Sequence, residues 1–245
     1  MKFRIDQLLV SRGLFDSRAR ARAAIEAGLV VADGVTVQKP SEQIAEDAVL
    51  EAQPAHRWVG RGALKLDHAL NLWPIVVEGR VVLDVGASTG GFTQVCLDRG
   101  AAKVFAVDVG FGQMHDKVAS DARVVNLERT DARDLTDDVI PQAPSLIVCD
   151  ASFISLSKVL PAALALAADD ADLVTLVKPQ FEADGPSGVG KKGVVKDREA
   201  HAAAVQRVSD WLEGIGWPVQ ATTESPITGG DGNVEFLLWA KQGLK

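Results

Sequence analysis

The chain has no apolar run long enough to cross a bilayer: residues 160–168 form an apolar stretch that stops far short of the roughly 18 residues a span requires. Its first residues, MKFRIDQLLVSRG, hold no long apolar segment ahead of a cleavage site, so no leader peptide is expected and a cytoplasmic protein is. Cysteine is scarce. Cys96 and Cys149 lie in apolar patterns with 52 residues between them, a spacing that suits neither a disulfide framework nor a zinc site, so buried thiols in a reducing compartment are expected. No other cluster of metal-ligand types stands out, and no metal is expected. Positive charge is also short, with a net charge of −7 over 245 residues. That balance argues against a uniformly basic nucleic-acid binder, but the deficit is uneven. Residues 1–40 carry seven Lys and Arg against four Asp and Glu, while the other 205 carry nineteen against twenty-nine. A basic head on an acidic body is a pattern in which the head meets phosphate.

The head reads as helix, turn, helix and short strands. Apolar Ile5, Leu8 and Leu9 share one helical face over residues 4–12, and Gly13 stops the helix. Asp16 or Ser17 can cap a second helix over residues 18–27, and LVVADGVTV follows as a hairpin turning at Asp33-Gly34. In the second helix Ala21 and Ile25 turn toward a small core, Arg18 and Arg22 share a face, and Arg20 is displaced around the axis. These three, with Arg4 and Lys39, are candidate RNA contacts on residues 1–56; a merely solvated helix face is the alternative. The pattern breaks near Pro54, and residues 57–62 read as a linker into a helix and a second domain over residues 63–245. From Arg80 on, continuous Val/Leu/Ile runs alternate with helical stretches: RVVLDVG, KVFAVDVG, RVVNLE, SLIVCD, DLVTLVK, PVQATTES and VEFLLWAK. Such an order implies an α/β fold, a parallel sheet covered on both faces. The last two runs are joined by a loop too short for a crossover helix, so an antiparallel hairpin is expected there. Seven strands ending in that hairpin outline a Rossmann-like, class I methyltransferase sheet.

The strongest local signal is DVGASTGGF between the first strand and its helix. Its glycines let the backbone approach a ligand, and the helix behind presents free N–H groups to an anion. The spacing is G-x-x-x-G-G, not the G-x-G-x-x-G of a nicotinamide site, and suits the amino-acid end of S-adenosylmethionine. Candidate cofactor contacts are Asp84, Gly86, Ala87, Ser88, Gly90, Gly91 and Phe92. Asp108 ends the second strand, where a carboxylate can accept both ribose hydroxyls of an adenosyl group. Asp131 is placed for the adenine amino group, with a solvated loop aspartate as the alternative. Asp150 ends the fourth strand at the carboxyl edge where open α/β sheets bind ligands, or else caps a helix over residues 152–160. Lys178 ends DLVTLV at that edge, Lys65 lies on the helix entering the domain, and Glu235 opens the terminal strand. Two lysines and two carboxylates then converge on one cleft. Arg57, Arg61, Lys191 and Lys192 are further candidates for RNA near it, the last two in the glycine-bearing loop GPSGVGKKG.

RGALKL, LDVGASTGGFT, DRGA, VDVGFGQ, LERTDAR, DASFISL, LVKPQFE and GNVEFLLW, taken in order, resemble the TlyA family, rRNA 2'-O-methyltransferases often labelled haemolysins. The catalytic part is similar to FtsJ-type ribose methyltransferases and the first third to the S4-type RNA-binding domain. The resemblance implies S-adenosylmethionine as cofactor and ribosomal RNA or a ribosomal subunit as partner. It further implies a cytidine target in 23S and also 16S rRNA, narrowed to 23S for so compact a chain, and a monomer. The family's Lys-Asp-Lys-Glu tetrad falls on Lys65, Asp150, Lys178 and Glu235, and its interdomain linker on Arg57, Trp58 and Val59. Ala151 departs from the leucine common in the family. Lys178 would contact the 2'-oxygen, as a neutral base or as a cation, with Asp150 and Glu235 orienting it and Lys65 holding the ribose. Rival readings are an RNA-binding protein with haemolysin-type activity and no methyl transfer, a small-molecule methyltransferase, and a nicotinamide oxidoreductase. The basic head argues against the second and the loop spacing against the third.

Overall fold

A computed structural model describes residues 1–182, 194–229 and 232–243. The chain divides into two compact units, Met1–Arg57 and Trp58–Lys245.

In the first unit, strand β1 (Lys2–Arg4) leads into α1 (Ile5–Ser11), and α2 (Arg18–Glu26) follows after a turn. Ser17 caps α2, its side chain accepting from the Arg20 N–H, which satisfies one of the free donors at a helix start. Short strands β2 (Val30–Ala32) and β3 (Val35–Thr36) form the hairpin expected at Asp33-Gly34. Both turn residues have positive φ, 48° and 78°, the backbone that a two-residue hairpin loop needs. Strands β4 (Gln43–Ala45) and β5 (Leu50–Ala52) complete two small sheets, β1-β4 and β3-β2-β5. Sequence periodicity does not single out β1 or β4, because each exists only through pairing with a strand some forty residues away. The core gathers Ile5, Leu8, Leu9, Phe15, Ala21 and Ile25, so the two helices bury the faces their spacing predicts.

The second unit opens with Trp58 and Val59, which were expected in a linker; both are buried in this unit's core, and the Val59 N–H donates to Gln94 Oε1 at 2.7 Å. Helix α3 (Ala63–Leu72) precedes a seven-stranded sheet made of β6 (Val81–Val85), β7 (Lys103–Asp108), β8 (Val124–Glu128), β9 (Leu146–Cys149), β10 (Asp172–Val177), β11 (Val219–Glu224) and β12 (Phe236–Lys241). Their spatial order is β11-β12-β10-β9-β6-β7-β8. The five strands from β6 to β10 run parallel, and β12 lies antiparallel to both β10 and β11. Every residue of β9 and β10 is buried, which is why those runs do not alternate and are apolar except for Asp172 and Thr175. Alternate residues feed two cores. Val82, Leu146 and Val174 pack with α3 and α4 (Gly91–Asp98) on one face. Leu83, Ile147 and Leu173 pack on the other with α6 (Leu156–Val159), α7 (Pro161–Ala165) and α9 (Arg198–Gly214). Short α5 (Asp116–Ala119) and α8 (Pro179–Glu182) complete the helices of the described residues.

One expectation fails here. Instead of a helix over residues 152–160, α6 starts only at Leu156, and Pro161 opens a separate helix at its first position, where a missing N–H is harmless. Asp150 is therefore not a helix cap: residues 151–155 form an irregular stretch with Phe153 at φ 67°.

Candidate active site

The carboxyl ends of the parallel strands set the site. Strand β9 ends on Cys149, level with Val85 in β6 and with Thr175 in β10, so Gly86, Asp150 and Lys178 emerge along one edge. Because β12 runs the other way and Phe236 pairs with Val177, Glu235 arrives at that edge beside Lys178. The four residues singled out in the sequence are brought together. Lys65 Nζ lies 2.6 Å from Glu235 Oε2 and 3.4 Å from Asp150 Oδ2, and Lys178 Nζ lies 2.6 Å from Asp150 Oδ1. Lys178 also donates to Ser152 Oγ at 2.8 Å and to the Asp150 carbonyl oxygen at 3.2 Å. Lys65, Lys178 and Glu235 are all buried. Burying one such ion alone costs several kcal/mol, about what the mutual attraction of well-placed partners returns, so the cluster is no net source of stability. Its value is two ammonium groups held in fixed places.

Two cavities meet at this cluster. One, about 360 Å³, is lined by Lys65, Lys178, Glu235, Arg61 and the glycine turn; the other, about 470 Å³, has walls of Val85, Val107, Ala132 and Ile154 and carries Asp108 and Asp131. Gly86, Ser88, Asp150 and Ser152 line both. Of the expected cofactor residues, Gly86, Ala87, Ser88, Gly91 and Phe92 line the first cavity, and Gly86, Ser88, Asp108, Asp131 and Asp150 the second. Gly86 has φ 83°, and a Cβ there would stand 3.1 Å from the backbone of Ala151, so only glycine lets the turn pass beneath the strand end. The Asp108 carboxylate accepts from the Ser88 and Gly110 N–H groups, each at 2.7 Å, which shapes the turn and leaves lone pairs for a ligand hydroxyl.

Three expected contacts stand differently. Gly90 lines neither cavity: at φ 87° it starts α4, and a Cβ would meet Val118 at 3.0 Å, so packing and turn geometry account for it. Asp84 also lies off both cavities, fully buried behind the turn, where its Oδ2 accepts from the Thr93 hydroxyl at 2.6 Å. Desolvation pushes it up to about 7. Asp131 does line the second cavity, but it caps the turn at Ala132–Asp134 and accepts from Arg133 Nη2 at 2.6 Å. That hydrogen bond holds it down at about 2, so a ligand amino group would share the carboxylate with a guanidinium. Burial pushes the Cys149 thiol up to about 12 and Cys96 well above its ordinary value, so neither is a nucleophile. Among the described residues no three His, Cys, Asp or Glu side chains are grouped to hold a metal.

The sequence reading missed Ser152 and Glu182. Burial raises the Glu182 carboxyl, which accepts from Ser155 Oγ and the Leu156 N–H at 2.8 Å and so ties the stretch after Asp150 to the segment after Lys178. Both residues sit in the motifs DASFISL and LVKPQFE, whose strand-end positions are the signal that could have found them.

The expected RNA contacts divide. Arg4 and Arg18 both clasp Asp6, at 3.0 and 2.7 Å, and Asp6 is fully buried; Arg20 pairs with Asp16 at 2.8 Å. These three hold the first unit together as well as colouring its surface. Arg22 and Lys39 are exposed with no ion-pair partner among the described residues, and Arg57 is exposed. Arg61 donates to the Thr228 carbonyl at 3.1 Å at the first cavity. Lys191 and Lys192 lie outside the described residues.

Comparison with known proteins places this geometry. The model of the FtsJ-like methyltransferase family matches residues 58–242, and that of the S4 domain matches residues 3–50. The 16S/23S rRNA (cytidine-2'-O)-methyltransferase TlyA of Mycobacterium tuberculosis is 48% identical over 240 residues, covering 97% of this chain and 89% of that one. Hemolysin A of Brachyspira hyodysenteriae is 37% identical over 235 residues, 96% of this chain and 98% of its own. A solved structure from Streptococcus thermophilus that bears a hemolysin name superposes with a TM-score of 0.78 at 39% identity, over 99% of this chain and 89% of that one. With a family match across the whole sheet-bearing unit and 48% identity along nearly its full length, the chain belongs to the TlyA family, an S4 domain joined to an FtsJ-like methyltransferase domain.

Proposed function

We propose that this protein methylates a ribose 2'-hydroxyl of a cytidine in ribosomal RNA, with S-adenosylmethionine as methyl donor. The observation that carries the reading is the Lys178 ammonium, fixed by Asp150, a residue that lines both cavities, with Lys65 and Glu235 alongside. The second cavity fits an adenosyl group by its chemistry, with apolar walls for a purine and the carboxylates of Asp108 and Asp131 for hydroxyl and amino groups. Ser88 and Gly91, lining the first cavity at the start of α4, suit the amino-acid end. When bound, S-adenosylmethionine supplies an electrophilic methyl group on a sulfonium.

The work left to the chain is alignment and charge. Holding the hydroxyl in line for attack is worth up to roughly 7–11 kcal/mol in favourable cases. Lys178, as a cation, donates to the 2'-oxygen and stabilises the charge that develops on it. The hydroxyl proton leaves to the Lys178–Asp150 pair, whose carboxylate is the member able to accept it. Lys65, clamped by Glu235, steers the ribose and keeps a second positive charge at the site. Exposed Arg22 and Lys39 on the S4 domain attract RNA phosphate, so binding weakens as salt rises. The protein acts in the cytoplasm, as a monomer, on ribosomal RNA or a ribosomal subunit.

Purified protein with methyl-labelled S-adenosylmethionine, free rRNA and assembled subunits tests this. The expected result is label at a cytidine 2'-oxygen, lost in Lys178→Ala. Cofactor binding without label on any rRNA would overturn the substrate, leaving an RNA-binding role without methyl transfer.

A further inference from the structure

Lys178 Nζ is surrounded by three oxygens: Asp150 Oδ1 at 2.6 Å, Ser152 Oγ at 2.8 Å and the Asp150 carbonyl at 3.2 Å. Two of them are anchored. Asp150 donates its N–H to the Val85 carbonyl at 3.1 Å, and its carboxylate also faces Lys65. The Ser152 hydroxyl is neither charged nor anchored: the residue is exposed and lies on the irregular stretch before α6. Of the four residues that line both cavities, Ser152 alone is both neutral and in side-chain contact with the ammonium. The Asp150 carbonyl is the most distant of the three and is the contact that a ribose hydroxyl can replace.

We infer that Ser152 is a positioning residue for methyl transfer: its hydroxyl, with the Asp150 carboxylate, keeps Lys178 aimed at the cavities while the third N–H, now on the more distant Asp150 carbonyl, turns to the 2'-oxygen of the substrate. The inference rests on the methyl-transfer reading above. With the hydroxyl present, two of the three N–H groups stay occupied through the reaction and the third is left pointing at the substrate oxygen. Without it, Lys178 relaxes toward Asp150, and the cost falls on the chemical step, not on binding.

The test measures single-turnover methylation of rRNA by wild type, Ser152→Ala, Ser152→Thr and Lys178→Ala, with cofactor and RNA affinities measured on the same proteins. Ser152→Ala is expected to lower the rate of methyl transfer roughly tenfold or more, as losing a hydrogen bond to a charged group does. Both affinities should stay within about twofold, and Ser152→Thr, which keeps the hydroxyl, should recover most of the rate. A Ser152→Ala rate equal to wild type overturns the inference. So does a loss confined to affinity, or a threonine variant as slow as alanine. If wild type itself leaves rRNA unlabelled, the methyl-transfer reading fails instead; if wild type labels and Lys178→Ala does not, only the role of Ser152 is at stake.

Discussion

Replacing Asp84 with asparagine removes a carboxyl group whose ionisation the folded chain resists. Asp84 is fully buried; one oxygen accepts from the Thr93 hydroxyl at 2.6 Å and the other has no hydrogen-bond partner. Desolvation, with the nearby carboxylates adding to it, lifts it from 3.8 to about 7. At about 1.4 kcal/mol per unit, keeping the ionised form inside the fold costs roughly 4 kcal/mol. The direction follows from linkage. Below pH 3.8 folded and unfolded chains both hold the proton. Between there and about pH 7 the unfolded chain releases it while the folded chain keeps it, so stability falls as pH rises and levels off above 7. Asparagine keeps an oxygen for Thr93 and never ionises. Its amide meets no acceptor where the unpartnered oxygen stands, a penalty of about 1–3 kcal/mol that does not change with pH. The unfolding free energy of Asp84→Asn relative to wild type should therefore rise by roughly 3 kcal/mol between pH 4.5 and pH 8. Urea titration followed by tryptophan fluorescence reads this cleanly, since all five tryptophans lie in the sheet-bearing unit. A difference that stays flat across that range would refute the reasoning.

Glu235→Gln leaves the buried Lys65 charge with only Asp150 at 3.4 Å, and the urea midpoint should drop by the equivalent of about 3 kcal/mol; an unchanged midpoint would mean that the pair contributes nothing. Arg18→Ala uncovers the buried Asp6 carboxylate and should make the S4 domain more open to proteolysis in the full chain. Arg22→Ala should leave proteolysis unaltered while weakening RNA binding and lowering its salt dependence by about one ion. The Arg4 hydrogen bond holds Asp6 down at about 2, so its contribution to stability is present above pH 3.8 and lost as pH falls toward 2, which an NMR titration of its carboxyl carbon would follow. Gly90→Ala forces a side chain into φ 87° against Val118, at a cost of about 1 kcal/mol or more, visible as a lower melting temperature.

Much of the sheet could be read from the chain because burial on both faces leaves a largely apolar, non-alternating signature in β9 and β10, and because a loop too short for a crossover forces β12 to reverse. That Asp150, Lys178 and Glu235 would meet followed from strand ends; Lys65 came from the helix entering the domain, and the family resemblance named the same four. What stayed hidden depends on partners far away in sequence. Asp6 looks like an ordinary polar residue in IDQLL until Arg18 closes over it. Gly90 reads as a ligand glycine until Val118 is seen against it. Ser152 was concealed by a helix drawn four residues too early, which turned a contact of Lys178 into a helix start.

The reversed strand also has a consequence for the order in which the protein is made. Lys65 emerges from the ribosome 170 residues before Glu235, the carboxylate that lies closest to it, and β12 slots between two strands already synthesised. Chains cut short before β12 bring no partner at 2.6 Å to Lys65 and leave the inner edge of β10 bare. Premature termination thus yields fragments that cannot assemble the lysine–carboxylate cluster, so on the proposed reading methyl transfer waits until the last strand is in place.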